Sequence, residues 1–417
     1  MNQEKLSGKV RVIAAVVSCL LGCTDAQRAN TQTDGNELPR VFCLDPLRLA
    51  QSRAMVRHGD KSLLPAMEKL RIEADEALKA GPFSVMDKKR TPPSGDKHDY
   101  MSLGPYWWPD PNRPDGLPYI RRDGRINPEA RTTDTDREAI GQMSDAVETL
   151  SLAWYFTDRR PYAEHAAKLL RVWFLDEAAA MNPNLEFGQA IPGRTLGRDA
   201  GIIDTARLVR IVDAIGLLES SGAWTAADRD RMRRWCTEYL KWLRTSKLGL
   251  GESQQSNNHG TWYDAQVVSL SLFLGQAAPA REILEQVRTR RIDKQIEPDG
   301  RQPRELARTK SLGYSAGNLE ALFRLATMGR KVGVDLWHHE SADGRSLRKA
   351  LDYLAPYADQ QKQWPHEQII ESSPTGLFAL LRRGSIVYGD DKYEALIEKM
   401  PAAARVEDRT NLLWPRD

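Results

Sequence analysis

Apolar positions recur at the three-and-four spacing of a helix face along most of this chain. The clearest early case is Lys61 to Ala80. There Leu63, Leu64, Met67, Leu70, Ala74, Ala77 and Leu78 fall on one stripe, and Gly81-Pro82 stops it. From Thr133 onward the pattern is helical almost throughout. It predicts helices at 136–157, 161–174, 200–219, 225–245, 261–274, 279–291, 308–329, 345–357, 374–382 and 391–399. Strand-like alternation is scarce. Connections are short and often marked by Gly or Pro, which makes sequence neighbours antiparallel hairpins. The prediction is an all-α chain, and a toroid of helix pairs fits the order of the elements.

Three stretches break the periodicity. Residues 83–133 carry prolines at 92, 93, 105, 109, 111, 114, 118 and 128. Their core, Asp99 to Pro111, reads D-Y-M-S-L-G-P-Y-W-W-P-D-P. Tyr100, Tyr106, Trp107, Trp108 and Tyr119 argue against disorder there. Flat aromatic faces in a loop suit sugar rings; alternatively Trp107 and Trp108 plug the end of the core. Asn182 to Asp199 and Glu297 to Arg308 are polar loops. A toroid would gather all three at one mouth.

Hydrophobic residues make up 41% and charged residues 28%, as in a soluble globular protein. The first residues change that picture. Lys5, Lys9 and Arg11 precede an apolar run, Val12 to Leu21, that is too short for a stable anchor. The run ends in Leu20-Leu21-Gly22-Cys23, which resembles a bacterial lipobox. Residues 1–22 are therefore read as an export signal, Cys23 as the lipidated residue and 23–44 as a flexible tether. The rest, 45–417, is one domain. This places the protein in the periplasm or on the outer membrane, touching a membrane only through its lipid. Cys43 and Cys236 remain; one pair makes no disulfide framework, and both read as buried thiols.

The formal net charge is +3, and losing Lys5, Lys9 and Arg11 with Glu4 leaves the mature chain near +1. That gives no reason to expect a nucleic acid partner. The seven His are scattered, with no H-E-x-x-H or C-x-x-C spacing, so no metal is predicted. No phosphate-cradling loop or nucleophile elbow appears, and no cofactor is predicted.

The densest chemistry lies in Ser256 to Gln266, S-N-N-H-G-T-W-Y-D-A-Q. A polar loop, Gly249 to Asn258, there runs into an apolar helix. Free N–H groups at a helix start favour anions. Asn258 reads either as a helix cap or as an amide donor, with His259 in the first turn. Downstream, Arg308 and Tyr314 offer a carboxylate-binding fork and a proton carrier. Alone, each reads equally well as a surface charge or a packed ring. Together the four meet the needs of β-elimination on a polyuronate. The C5 proton is a poor acid while its carboxylate is charged, so donors or cations must neutralise that charge. A base must reach C5 and an acid the O4 leaving group. A cation beside Tyr314 would favour its phenolate.

N-N-H-G-T-W-Y-D, the segment P-R-E-L-A-R-T-K-S-L-G-Y (Pro303 to Tyr314) and the Tyr-Trp-Trp-Pro loop resemble the alginate-lyase-type superfamily. Tyr314 lies 55 residues after His259 and 6 after Arg308. Those separations are most similar to polysaccharide lyase family thirty-eight, and more distantly to family five. The resemblance covers about residues 60 to 400. It implies an incomplete α/α toroid of about six to seven helix pairs. It also implies lyase activity on glucuronan or mannuronate-rich alginate, an anionic polysaccharide partner, and a catalytic set of Asn258, His259, Arg308 and Tyr314. The family five spacing leaves Arg304 as an alternative to Arg308.

Stereochemistry divides the roles. In β-D-mannuronate and D-glucuronate the C5 hydrogen and O4 share a side, so Tyr314 can take the proton and return it to O4. In guluronate they are anti, and His259 would be the base and Tyr314 the acid. Gln189, Arg194, Arg198, Arg304, Tyr100, Tyr106, Trp107, Trp108 and Trp262 are the candidate substrate contacts. Two other readings stay open. One is a non-catalytic glycan-binding lipoprotein. The other is a toroidal glycoside hydrolase using Asp204, Glu297 or Glu305.

Overall fold

Asp45 opens the first helix, α1 (Pro46–Arg57), by accepting from the N–H groups of Leu47 and Arg48. The computed structural model describes residues 38–359, 361–373 and 375–416. The segment read as an export signal, and Cys23, lie outside the described residues. Residues 39–44 do not belong to a tether. Val41, Phe42 and Cys43 are buried. Asp213 accepts from the backbone N–H groups of Phe42, Cys43 and Leu44. The periodicity missed α1 because it buries only Leu49 and Ser52.

After α2 (Leu64–Ala77), five helices form an inner series: α3 (Arg137–Thr157), α5 (Leu208–Leu218), α8 (Asn258–Phe273), α10 (Ser311–Arg330) and α12 (Phe378–Tyr388). Each packs on the next. α8 hides every residue from Tyr263 to Phe273, so it has no polar face to signal its period. Behind the series lie α4 (Arg160–Phe174), α6 (Ala226–Thr245), α9 (Ala277–Val287), α11 (Leu347–Leu354) and α13 (Lys392–Ile397). With α1 and α2 this makes an α/α toroid of about six pairs among the described residues. The turn Thr410–Leu413 packs on α1, α2 and α12, and so brings the two ends of the described chain together.

Several predicted helices are shorter or divided. The stretch 200–219 is a 3-10 segment, Asp199–Thr205, followed by α5. The helix predicted at 279–291 ends at Val287 and continues as a wide turn, Arg288–Ile292. The one predicted at 308–329 begins at Ser311, which leaves Arg308 in the turn before it. The polar loop before Asn258 contains a short helix, α7 (Lys247–Ser253).

The proline-rich loop is ordered by four short strands, which the sequence pattern did not reveal. β1 (Met101–Leu103) pairs in parallel with β4 (Phe187–Ala190), tying the aromatic loop to the 182–199 loop. β2 (Trp107–Trp108) pairs antiparallel with β3 (Ile120–Arg121). The anchor beneath them is Asp204, 5% exposed. It accepts from Tyr100 Oη, Ser102 Oγ, Gln189 Nε2 and Arg137 Nη1.

Candidate active site

Tyr314 stands in the first turn of α10, half-buried. Arg308 Nη2 donates to its oxygen at 2.8 Å, and the guanidinium lies 3.9 Å from its ring centroid. Its hydroxyl meets that of Tyr106 at 2.7 Å. Asp123, at the tip after β3, holds the other side of Arg308, with Nε at 3.0 Å and Nη2 at 2.7 Å. Thr309 Oγ1 also donates to Asp123, at 3.2 Å. Gly124 allows this approach: its φ is +68°, and a Cβ there would lie 2.1 Å from Thr309 Oγ1. Sequence reasoning passed over Asp123. Its only signal was an Asp-Gly turn at the end of an aromatic segment.

This arrangement changes two expectations. The Arg308 fork is already filled by a carboxylate of the protein. The phenolate is not the resting form of Tyr314 either. Burial, and then the neighbouring Tyr106 hydroxyl, push the Tyr314 phenol up, and these outweigh the lowering by Arg308. Burial raises the Asp123 carboxyl, but the Arg308 hydrogen bonds and charge win and hold it at about 2.

The second half of the site is the start of α8. Asn257, not Asn258, caps the helix, accepting from the N–H of His259. Asn258 is 7% exposed and grips Glu305 twice, through its backbone N to Oε1 and its Nδ2 to Oε2, both at 2.7 Å. A buried carboxylate of the protein therefore occupies the anion-favouring helix start. Burial raises the Glu305 carboxyl; the two Asn258 bonds, and then the charges of Arg308 and His259, pull it back. Glu305 thus sits within electrostatic reach of both halves. His259 Nδ1 lies 2.7 Å from Glu252 Oε1.

Residues 84–364 match the alginate lyase family. The chain belongs to that family. It is a polysaccharide lyase. A crystal structure of an alginate lyase from Bacteroides ovatus is 40% identical, over 91% of this chain and 100% of that one, with a TM-score of 0.87. Alginate lyase A1-III from Sphingomonas species A1 shares the fold at 15% identity, covering 91% of this chain and 98% of its own, with a TM-score of 0.56. A histidine-to-alanine variant of A1-III complexed with tetrasaccharide matches at 15% identity over 92% and 98%, with a TM-score of 0.58. Comparison with curated proteins gives no match.

The lyase places its remaining candidate residues unevenly. Tyr100 is fully buried with its hydroxyl on Asp204, so it anchors the loop and does not meet substrate. Gln189 is likewise an anchor, 3% exposed and bonded to Asp204 and Arg198. Arg198 donates Nη2 to Gln189 and forms no ion pair among the described residues; burial lowers its pKa against the raising charges of Asp199 and Glu252. Arg194 is exposed, bonded to the Tyr119 carbonyl and placed over Trp107. Trp107 and Trp108 are half-buried in their ribbon, and Arg122 lies over Trp108. Trp262 packs half-buried against the core. Arg304 is exposed on the short helix Pro303–Leu306 and is not drawn into the tyrosine cluster. The hydrolase carboxylates are not arranged for hydrolysis. Asp204 and Glu305 are buried and bonded as above, and Glu297 lies 3.6 Å from Arg345. A cavity of about 970 Å³ opens along α10, lined by Gly313, Gly317, Tyr357, Lys362, Trp364 and Gln368 among others; Asn258, His259, Arg308 and Tyr314 are not among its lining residues.

Proposed function

We propose that the lyase cleaves a polyuronate, β-D-mannuronate-rich alginate or glucuronan, by β-elimination at Tyr314. The observation that carries this reading is the Tyr314 oxygen held between Arg308 Nη2 and the Tyr106 hydroxyl. In the resting state the Tyr314 hydroxyl donates to Tyr106; on losing its proton, the Tyr314 oxygen keeps the Arg308 donor, the Tyr106 hydroxyl can turn to donate to it, and the cation lies over its ring. Arg308 therefore serves Tyr314 rather than the substrate, since Asp123 fills its fork. The substrate carboxylate falls to His259 and to Arg198, which forms no ion pair among the described residues, with Asn258 at the helix start.

The step balances without water. Tyr314 first gives its own proton to solvent; the phenolate then takes the C5 proton, and the C5 electrons form the C4–C5 double bond. The C4–O4 bond breaks, and O4 receives the proton from Tyr314. The products are an unsaturated uronate and a new chain end. The order of charge matters: neutralising the carboxylate first makes C5 acidic enough for a phenolate to act.

The test uses purified protein with polymannuronate, glucuronan, polyguluronate and a neutral glucan. Ultraviolet absorbance of the unsaturated uronate should rise with one of the first two. Tyr314→Phe should lose that absorbance by a factor of ~10³ or more while still binding the polymer. A Tyr314→Phe enzyme with wild-type turnover would overturn the assignment. Reducing ends without absorbance would overturn the lyase step in favour of hydrolysis.

A further inference from the structure

The turn between α7 and α8 brings two side chains together for no evident structural gain. Glu252 is the penultimate residue of α7, and His259 lies in the first turn of α8. Arg291, 1% exposed, fixes the turn between them. It donates Nη2 to the Ser253 carbonyl at 2.8 Å and Nη1 to the Gln255 carbonyl at 2.6 Å, while its Nε holds Asp264 at 2.7 Å. Gly260 makes the closeness possible, since a Cβ there would lie 2.0 Å from the Gln255 oxygen and 2.5 Å from Arg291 Nη1.

Glu252 is 0% exposed. Its Oε1 meets His259 Nδ1, and its Oε2 is buried with no hydrogen-bond partner. A buried carboxylate oxygen left without a donor costs stability. Fold stability alone would replace Glu252 with an apolar residue. The charged groups around the pair are few. Asp199 and Arg198 face Glu252, and Glu305 feels His259 from the Pro303–Leu306 helix. The Asp264–Arg291 pair lies behind the turn.

We propose that Glu252 is the positioning residue for His259, fixing its proton on Nδ1 so that Nε2 faces the uronate carboxylate. This rests on the reading of His259 as a substrate-facing group. With both ring nitrogens protonated, the ring donates Nδ1–H to Glu252 and Nε2–H to the anionic sugar. The pair carries no net charge when both are ionised. The substrate therefore gains a cation at its carboxylate without the lyase burying an uncompensated one.

Glu252→Gln keeps the shape and removes the charge. It should lower kcat/KM by ~10–100-fold and move the His259 titration, followed by NMR, to lower pH. In the wild-type protein, nitrogen NMR of labelled histidine should show neutral His259 protonated at Nδ1, and this check needs no folded variant. Wild-type kcat/KM together with an unmoved His259 titration in Glu252→Gln would overturn the proposal. So would a wild-type His259 protonated at Nε2. His259→Ala separates the levels. If it retains activity, the substrate-facing reading fails and the proposal with it. If it is inactive while Glu252→Gln is unchanged, only the role of Glu252 fails.

Discussion

Replacing Asp123 with Asn should both weaken the proposed catalytic cluster and make Tyr314 easier to ionise. Asp123 holds Arg308 through two nitrogens, the closer at 2.7 Å, and Arg308 reaches the Tyr314 oxygen at 2.8 Å through that same nitrogen. The carboxylate charge therefore lies within about 5.5 Å of the phenol oxygen, and it raises the Tyr314 pKa. At an effective dielectric of roughly 20–40, a unit charge at that distance is worth ~1.5–3 kcal/mol, or ~1–2 pKa units. Asn removes this opposition and leaves Arg308 uncompensated. In the wild-type lyase, activity should rise toward alkaline pH as Tyr314 ionises. In Asp123→Asn that rise should begin at a pH lower by ~1 unit or more. The plateau should fall, because the guanidinium loses its charge-assisted partner. Holding Asp123 at about 2 instead of its ordinary 3.8 corresponds to ~2 kcal/mol, which solvent screening at this partly exposed pair reduces to ~1. That predicts a plateau kcat lower by a factor of ~5. The same coupling stabilises the fold above about pH 4 and is lost as the pH falls through about 2. Initial rates across pH, read as ultraviolet absorbance, test both effects. An unshifted rise, or a shift to higher pH, would refute the electrostatic reasoning.

Two further outcomes follow from buried hydrogen bonds. Asn258→Ala strips Glu305 of its side-chain donor, so it should cost ~1–3 kcal/mol and lower the melting temperature by a few degrees, with activity falling as well. An unchanged melting curve would show that Glu305 finds another donor. Asp213→Asn presents an amide NH₂ to backbone N–H groups that need an acceptor, at Phe42 and at Cys43 or Leu44. It should lower thermal stability by ~1–3 kcal/mol while leaving the specific activity of the folded enzyme unchanged; lost activity without lost stability would contradict the anchoring role.

The helices were legible because burial imposes a period. α3 and α4 came within a residue of their observed ends for that reason. α1 was not, since it buries one apolar residue and its order comes from Asp45 and from the chain end packed on it. The four proposed catalytic residues were legible as residue types with a known chemistry, but their partners were not. Nothing in the spacing of Arg308 and Tyr314 says that a carboxylate 185 positions earlier occupies the guanidinium. Asn258 looked like a cap because amides cap helices, yet the preceding Asn257 takes that place and frees Asn258 for Glu305. Tyr100 and Gln189 read as sugar contacts because polar and aromatic residues in loops usually face out. Here a buried Asp204 requires donors, and loop side chains supply them.

That buried carboxylate explains how a long proline-rich loop can be held against the proposed catalytic pair. Left to itself, a loop of this length would sample many positions, and a hydroxyl carried on it could not hold a fixed distance to Tyr314. Asp204 collects donors from the aromatic loop, from β4 and from α3, and β1 joins β4 directly above it. The loop leaves this anchor at Ser102 and reaches Tyr106 four residues later. Past the β2–β3 ribbon it delivers Asp123. Both residues end on the Arg308–Tyr314 pair. The helices thus fix where the proton carrier stands, and the loop sets how readily it gives up its proton. Aromatic density in the loop suggested sugar stacking. The geometry assigns it first to holding a ribbon whose tip tunes a phenol.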